Sequence, residues 1–218
     1  RYYKDIGCIW IVIKGGEALT FLIGTRGSKL SLAQTNWVIS ELQKENKDSE
    51  FEIKTITTKG DTDSRALFTI DQKGIFEKEI DKAVAEKEVD FAVHSLKDVP
   101  SKISESLTIA CIPRRESSSD VIITKNGSNL KTIQSGAVIG TSSLRRAVQI
   151  SRVRQDVVVK PVRGNIETRV NKVTDGKFDA VILAEAGISR LGLDIKYSVL
   201  STKDFPPSPG QGALAIVC

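Results

Sequence analysis

The chain has no methionine, one histidine, three cysteines and only 6% aromatic residues in 218 positions. Each scarcity removes a class of function. The lone His94 excludes a histidine-rich metal centre, and a Ser-His-Asp triad can run only through that residue. Cys8, Cys111 and Cys218 match no zinc spacing, so no metal ligands are assigned. Their odd number argues against a closed disulfide framework and makes a reducing cytosol the expected compartment. No aromatic lies in the arginine-rich stretch where a nucleic acid would bind, so stacking platforms for single strands are missing. The early apolar run Cys8–Ile13 is far short of the ~20 residues that cross a bilayer. Lys14, Gly15, Gly16 and Glu17 follow it without a small-x-small cleavage site, so it reads as an appended segment or extra strand. With no methionine anywhere, the natural start is expected upstream. The Walker loop and the Rossmann glycine fingerprint are both missing.

What is present is an ordinary soluble composition, 40% apolar and 27% charged, long enough to bury a sizeable core. The net charge of +5 is concentrated. Between Leu144 and Arg169 stand seven basic residues and two acidic ones, a field that attracts anions. A small polycarboxylate or phosphate fits this stretch better than nucleic acid.

Short apolar runs alternate with helical periodicity. Strands are expected at 20–24, 51–57, 89–93, 107–112, 121–124, 137–140, 157–159, 178–184 and 212–217. Helices are expected from Ser28 to Lys44, 75–87, from Ser142 or Ser143 to about Arg154, from Asn165 to about Val173, and 186–191. Residues 60–74 read as a long loop of the kind that often serves as a lid. The class is α/β with mainly parallel pairing. Composition shifts near Pro113 and at Pro206–Gly210 suggest two crossings between two lobes, 20–113 with 211–218 and 114–210. Residues 1–19 form an unexplained extension. A faint duplication supports two similar halves: Ile23-Gly24-Thr25 and Ile139-Gly140-Thr141 each lead through serine into a helix. Asp90-Phe91-Ala92-Val93 is likewise echoed by Phe178-Asp179-Ala180-Val181.

Val89–Val93 delivers His94, Ser95, Lys97 and Asp98 to the carboxyl end of a strand, where ligands of α/β folds sit. Pro100 keeps Val99 out of helix. A carboxylate at Asp98 can stabilise a developing cation and relay a proton. The plain alternative is a polar turn that touches nothing. Each strand-Gly-Thr-helix junction offers a helix start, an intrinsic anion site. Arg26 and Ser28 join the first; Thr141, Ser142, Ser143, Arg145 and Arg146 join the second. Arg163, Gly164 and Asn165 precede another helix start, with Arg169 one turn in. Five arginines whose planar forks grip carboxylates form a candidate receptor array; the alternative is a solvated basic face. Cys111 and Cys218 lie in apolar strands, so buried structural roles are expected for both.

IGTRGSKLSLAQ, VHSLKDVP, IGTSSLRRA, PVRGNIETR, FDAVILAEAGISRLGL and PGQGALAI, in this order and spacing, resemble the porphobilinogen deaminase (hydroxymethylbilane synthase) family over residues 21–218. The resemblance implies two type II periplasmic-binding-protein-like lobes around a cleft and a small third domain. It implies a cytoplasmic transferase that polymerises four porphobilinogen units head to tail into hydroxymethylbilane with release of ammonia, for tetrapyrrole and heme biosynthesis. A covalent dipyrromethane cofactor primes the chain. By the same resemblance Asp98 is the catalytic carboxylate. Arg26, Ser28, Ser95, Lys97, Thr141, Ser143, Arg145, Arg146, Arg163 and Arg169 bind acidic side chains of primer and substrate, and Lys73 belongs to a loop over the cleft. Porphobilinogen is the expected partner, with no nucleic acid and no membrane, for a monomer completed by a C-terminal domain. The family's primer cysteine lies in a Gly-Gly-Cys turn of that third domain. Cys218 does not match it, so the chain is expected to be a fragment lacking the primer-bearing domain. A two-lobed anion-binding receptor or sensor is the competing reading.

Overall fold

A computed structural model describes residues 19–62 and 77–218. The described residues divide into two compact units, one of 19–62, 77–116 and 213–218, the other of 117–212.

The first unit is a five-stranded sheet in the order β2-β1-β3-β10-β4. Its strands are β1 (Thr20–Thr25), β2 (Glu50–Thr55), β3 (Phe91–Ser95), β4 (Ile109–Cys111) and β10 (Leu214–Val217). Its helices are α1 (Lys29–Glu45), the short α2 (Lys59–Thr62) and α3 (Lys78–Ala85). Side chains alternate across the sheet as the pleat demands. Phe91, Val93, Leu214 and Ile216 pack with Val38, Ile39 and Leu42 of α1. Ala92, Ala215 and Val217 pack on the other face with Ile80, Ala83 and Val84 of α3. Phe21 and Phe51 stack across the β1–β2 pair with ring centroids 5.6 Å apart.

The second unit repeats the plan, in the order β7-β6-β8-β5-β9. Its strands are β5 (Asp120–Thr124), β6 (Val138–Gly140), β7 (Val158–Lys160), β8 (Ala180–Ala184) and β9 (Ser198–Val199). Its helices are α4 (Leu144–Val153), α5 (Ile166–Thr174) and α6 (Glu185–Arg190). Ile122, Ile139, Ala180 and Ile182 face Ile150 of α4. Val121, Ile123, Val181 and Leu183 face Val173 of α5 and Ile188 of α6.

The expectation of mainly parallel pairing needs correction. In each sheet the β1-β2-β3 or β6-β7-β8 core is parallel, but the strand beside it is antiparallel: β10 to β3, and β5 to β8. The outer strands β4 and β9 are antiparallel to those in turn. The physical reason is connectivity. β5 and β10 each begin just after the chain crosses between units, so neither enters its sheet through the right-handed crossover helix that enforces parallel pairing. β9, only two residues long, carries too little pattern to be seen in sequence.

Candidate active and anion-binding site

In the first unit, β1 runs into α1 through Arg26 and Gly27. Ser28 caps the helix, accepting from the Ser31 amide at 3.2 Å. No acidic residue lies in the first turn of α1, so nothing from that turn offsets its positive end. Arg26 is half-buried at this junction. Beneath it Thr35 donates to Thr25 at 3.0 Å, both buried, which ties the helix to the strand end.

β3 ends at Ser95, whose hydroxyl accepts from the Gln34 amide of α1 at 3.0 Å. The backbone then turns: Asp98 N donates to Ser95 O at 2.9 Å and Val99 N to Leu96 O at 3.3 Å. Lys97 and Asp98 are exposed on this turn. His94 points the other way. It is buried, with Nε2 3.0 Å from Oδ1 of Asp81 on α3, although the contact lacks hydrogen-bond alignment. His94 therefore belongs to the α3 face and Ser95 to the α1 face, as alternation along the strand requires.

In the second unit the β6–α4 junction is built by its own hydroxyls. Thr141 N donates to Lys160 O at 2.9 Å, and Ser143 N donates to the Thr141 hydroxyl at 3.1 Å. The Ser142 hydroxyl donates to Val162 O at 2.7 Å and accepts from Val162 N at 3.1 Å, which locks this loop to the one after β7. Ser143, rather than Ser142, is the helix cap, with Arg146 N donating to its hydroxyl at 3.4 Å.

The next loop carries Arg163 and Gly164. Gly164 has φ of +109°, and a Cβ there would lie 2.5 Å from the Thr168 methyl, so only glycine fits. Asn165 caps α5, accepting from the Thr168 amide and hydroxyl, each at 2.8 Å. Arg169 Nε donates to Gly164 O at 2.8 Å. Burial depresses the Arg169 guanidinium, and the positive charges of Arg146 and Arg163 add to that effect. Three of the expected arginines are thus brought within electrostatic reach of one another.

Asp120 is the functional candidate that sequence reasoning missed. It is the first residue of β5 and fully buried. Its Oδ1 accepts from Arg146 Nε at 3.0 Å, Arg146 Nη2 at 2.6 Å and Gln211 Nε2 at 2.9 Å. Its Oδ2 accepts from Arg145 Nη2 at 2.7 Å. Arg146 Nη1 donates to Ile182 O at 3.2 Å, and Arg145 Nη1 to Pro206 O at 2.6 Å. Burial alone would raise the Asp120 carboxyl, but Arg146 and Arg145 outweigh it and hold the group below its ordinary value. The one signal in the sequence was a lone aspartate opening an otherwise apolar strand.

Lys73 and most of the expected loop lie outside the described residues, as does Cys8. Cys111 is buried, as expected; Cys218 is exposed, against expectation. β10 stops at Val217, and Cys218 pairs through its backbone with Thr108. Among the described residues no cluster of three His, Cys, Asp or Glu is placed to hold a metal. No described helix is long and apolar enough to cross a membrane.

Strand order and buried α/β cores in both units define the type II periplasmic-binding-protein-like class. Two solved structures share this fold. One is the BenM effector binding domain with benzoate, at 15% identity and a TM-score of 0.51, covering 93% of this chain and 84% of that one. The other is a putative methionine-binding lipoprotein from Bacillus subtilis, at 16% identity and a TM-score of 0.50, covering 91% and 82%.

The sequence profile described as "Porphobilinogen deaminase, dipyromethane cofactor binding domain" matches residues 21–218, and the chain belongs to the porphobilinogen deaminase family. A probable porphobilinogen deaminase of Nitrosopumilus maritimus is 68% identical over 199 residues, which are 91% of this chain and 64% of that protein. The Listeria monocytogenes and Bacillus subtilis porphobilinogen deaminases are 46% and 47% identical, covering 90% and 91% of this chain and 65% and 64% of theirs. The chain therefore spans a little under two thirds of the length of these relatives.

Proposed function

We propose that the chain supplies the substrate- and primer-binding part of a hydroxymethylbilane synthase, which joins four porphobilinogen units head to tail and releases ammonia at each addition. The observation that carries this reading is the exposed strand-end carboxylate Asp98 in one unit, together with guanidiniums at helix starts in the other. The family match over residues 21–218 supports it.

Porphobilinogen carries two carboxylates and an aminomethyl group on a pyrrole. Arg145, Arg163 and Arg169, with Arg26 and Lys97, grip the carboxylates; planar forks do this with fixed geometry. Ser28, Ser95, Thr141, Ser142, Ser143, Gly164 and Asn165 shape the loops that carry these cations, and Arg146 braces Arg145 through Asp120. When ammonia leaves, the C–N bond breaks with its electron pair going to nitrogen, and the ring nitrogen's lone pair delocalises to leave an azafulvenium cation. Asp98 faces that positive charge, accepts a hydrogen bond from the pyrrole N–H and stabilises the cation as it forms. After the new carbon–carbon bond forms, the same carboxylate accepts the proton lost as the ring regains aromaticity.

Dipyrromethane fits the same cations, since Arg145 is 25% exposed and its two internal bonds use only two of five N–H groups. When bound, it supplies the nucleophilic pyrrole carbon on which the product starts. Its attachment fits neither described cysteine: Cys111 is buried in β4, and Cys218 continues the ladder after β10 instead of standing in a turn. The protein is read as a cytoplasmic monomer acting without nucleic acid or membrane, and Lys73 as part of a covering loop.

The test uses the full-length protein. Intact mass is expected to show a covalent pyrrole adduct, and added porphobilinogen to release ammonia. Asp98→Asn should keep the melting temperature and the adduct but abolish ammonia release. Retained turnover refutes the role of Asp98, and reversible binding without adduct or turnover supports an anion receptor instead.

A further inference from the structure

The array of helix-start arginines contains its own carboxylate. Asp120 accepts four hydrogen bonds, three of them from Arg145 and Arg146, and is fully buried. Two opposite roles are open to such a group. It can compete with ligand carboxylates for the same forks, in which case bound ligand must displace it. Or it can hold the forks at fixed angles so that their remaining N–H groups face outward.

The geometry favours the second. Oδ1 takes Nε and Nη2 of Arg146 together with Gln211, while Oδ2 takes Arg145, so both oxygens are engaged. Arg145 is pinned from a second side by Pro206 O, and Arg146 by Ile182 O of β8. Gln211 is fixed in turn by its bond to Ser118 O at 2.7 Å. Each guanidinium is thus held by the carboxylate that opens β5 and by a backbone carbonyl, of a loop for Arg145 and of β8 for Arg146. A ligand carboxylate displacing Asp120 from both arginines would leave a buried anion with no cationic partner and only the Gln211 bond, which is costly.

We propose that Asp120, itself braced by Arg146, is a positioning residue that aims Arg145 at the acidic side chains of the pyrrole ligand and stays bound to both arginines while the ligand is held. This rests on the function proposed above.

The test takes the full-length, primer-bearing protein and its Asp120→Asn variant, with porphobilinogen as the probe. Positioning predicts that KM rises at least ~10-fold in the variant, because forks misplaced by about 1 Å lose much of their advantage. The kcat should fall less than about 3-fold. A KM that falls or stays unchanged overturns the proposal, since removal of a mere competitor frees the forks. A lowered melting temperature with unchanged KM overturns it as well.

Should the variant not fold, the wild-type decides by NMR of arginine side chains. The Arg146 Nε–H is expected to be protected from solvent exchange and to remain so on saturation with porphobilinogen, while Arg145 signals shift. Loss of that protection on binding marks Asp120 as a displaced competitor and overturns the inference. Wild-type protein that neither binds nor turns over porphobilinogen, yet keeps Arg146 Nε–H protected, defeats the proposed function and with it the ligand named here. Slow exchange at Arg146 Nε–H in ligand-free wild-type protein still reads the bracing itself, so the two failures are told apart.

Discussion

The two units share a frame and differ in what fills one position of it. In each, an aspartate before the third parallel strand closes the same pair of bonds. Leu22 N donates to Asp90 Oδ2 and Val138 N to Asp179 Oδ2, each at 2.7 Å, while the amides of the two aspartates return to Leu22 O and Val138 O. In each, a glycine near the end of β1 or β6 stands where an added Cβ would crowd side chains at about 3.0 Å, Val89 at Gly24 and Phe178 at Gly140. In each, a serine caps the following helix. The units part at the strand that follows a crossing. Leu214 opens β10 opposite Ser95, buried and apolar; Asp120 opens β5 opposite Ala184, buried and charged. Where α4 places Arg145 and Arg146, α1 has Leu30 and Ser31. One backbone plan thus supports a neutral contact in one unit and an ion network in the other. The unit with the neutral contact is the one that presents Asp98 on a turn, while the other goes straight from β8 into α6. The exposed turn carboxylate and the buried ion network therefore stand in different repeats.

Breaking the ionic position should have the largest effect on stability. Asp120→Ala leaves two guanidiniums facing a buried gap, and urea unfolding should show a loss of about 3–5 kcal/mol. Gly164→Ala should come next, at about 1–3 kcal/mol, because an L-residue must then hold φ of +109° against Thr168. The matched pair Asp90→Ala and Asp179→Ala should each cost about 1–2 kcal/mol, and by similar amounts if the repeats are equivalent at this bond. A several-fold difference between them would break the comparison. Arg145→Leu should weaken binding of the acidic pyrrole more than it lowers the melting temperature, because its guanidinium is partly exposed.

Acid gives the mildest contrast. The Asp120 carboxyl lies below its ordinary value, and Asp156, bonded to Arg154, is held at about 2. Groups depressed in the folded state bind protons more readily once unfolded. Their contribution is complete above the ordinary carboxyl value of about 3.9 and is lost as pH falls through the folded value. Stability should therefore drop below about pH 4. Asp156→Asn should remove only the part of that drop between about 4 and 2 that belongs to this exposed pair. An unchanged acid profile in that variant would show that the Arg154–Asp156 pair contributes nothing.

Much of this was legible because the signals are local. Periodicity located nine of the ten described strands, and Ser28 and Asn165 were read as caps from residue type and place alone. The duplication was visible as two short echoes, and the aspartates in those echoes make the equivalent bonds. What stayed hidden depends on residues distant in sequence. Asp120 meets Arg146 across 26 positions and Gln211 across 91, so no window on the chain contains the network. The antiparallel strands were hidden for the same reason, since their direction follows from where the chain re-enters each sheet.

Residue order by itself determined nine of the ten described strands, the caps Ser28 and Asn165, and which arginines stand at helix starts, because steric and hydrogen-bonding preferences act over a few residues. Only the tertiary structure decided which cations are tied to an internal carboxylate and which cysteine is exposed. Those outcomes rest on charge compensation and burial between segments that meet only when the sheets assemble.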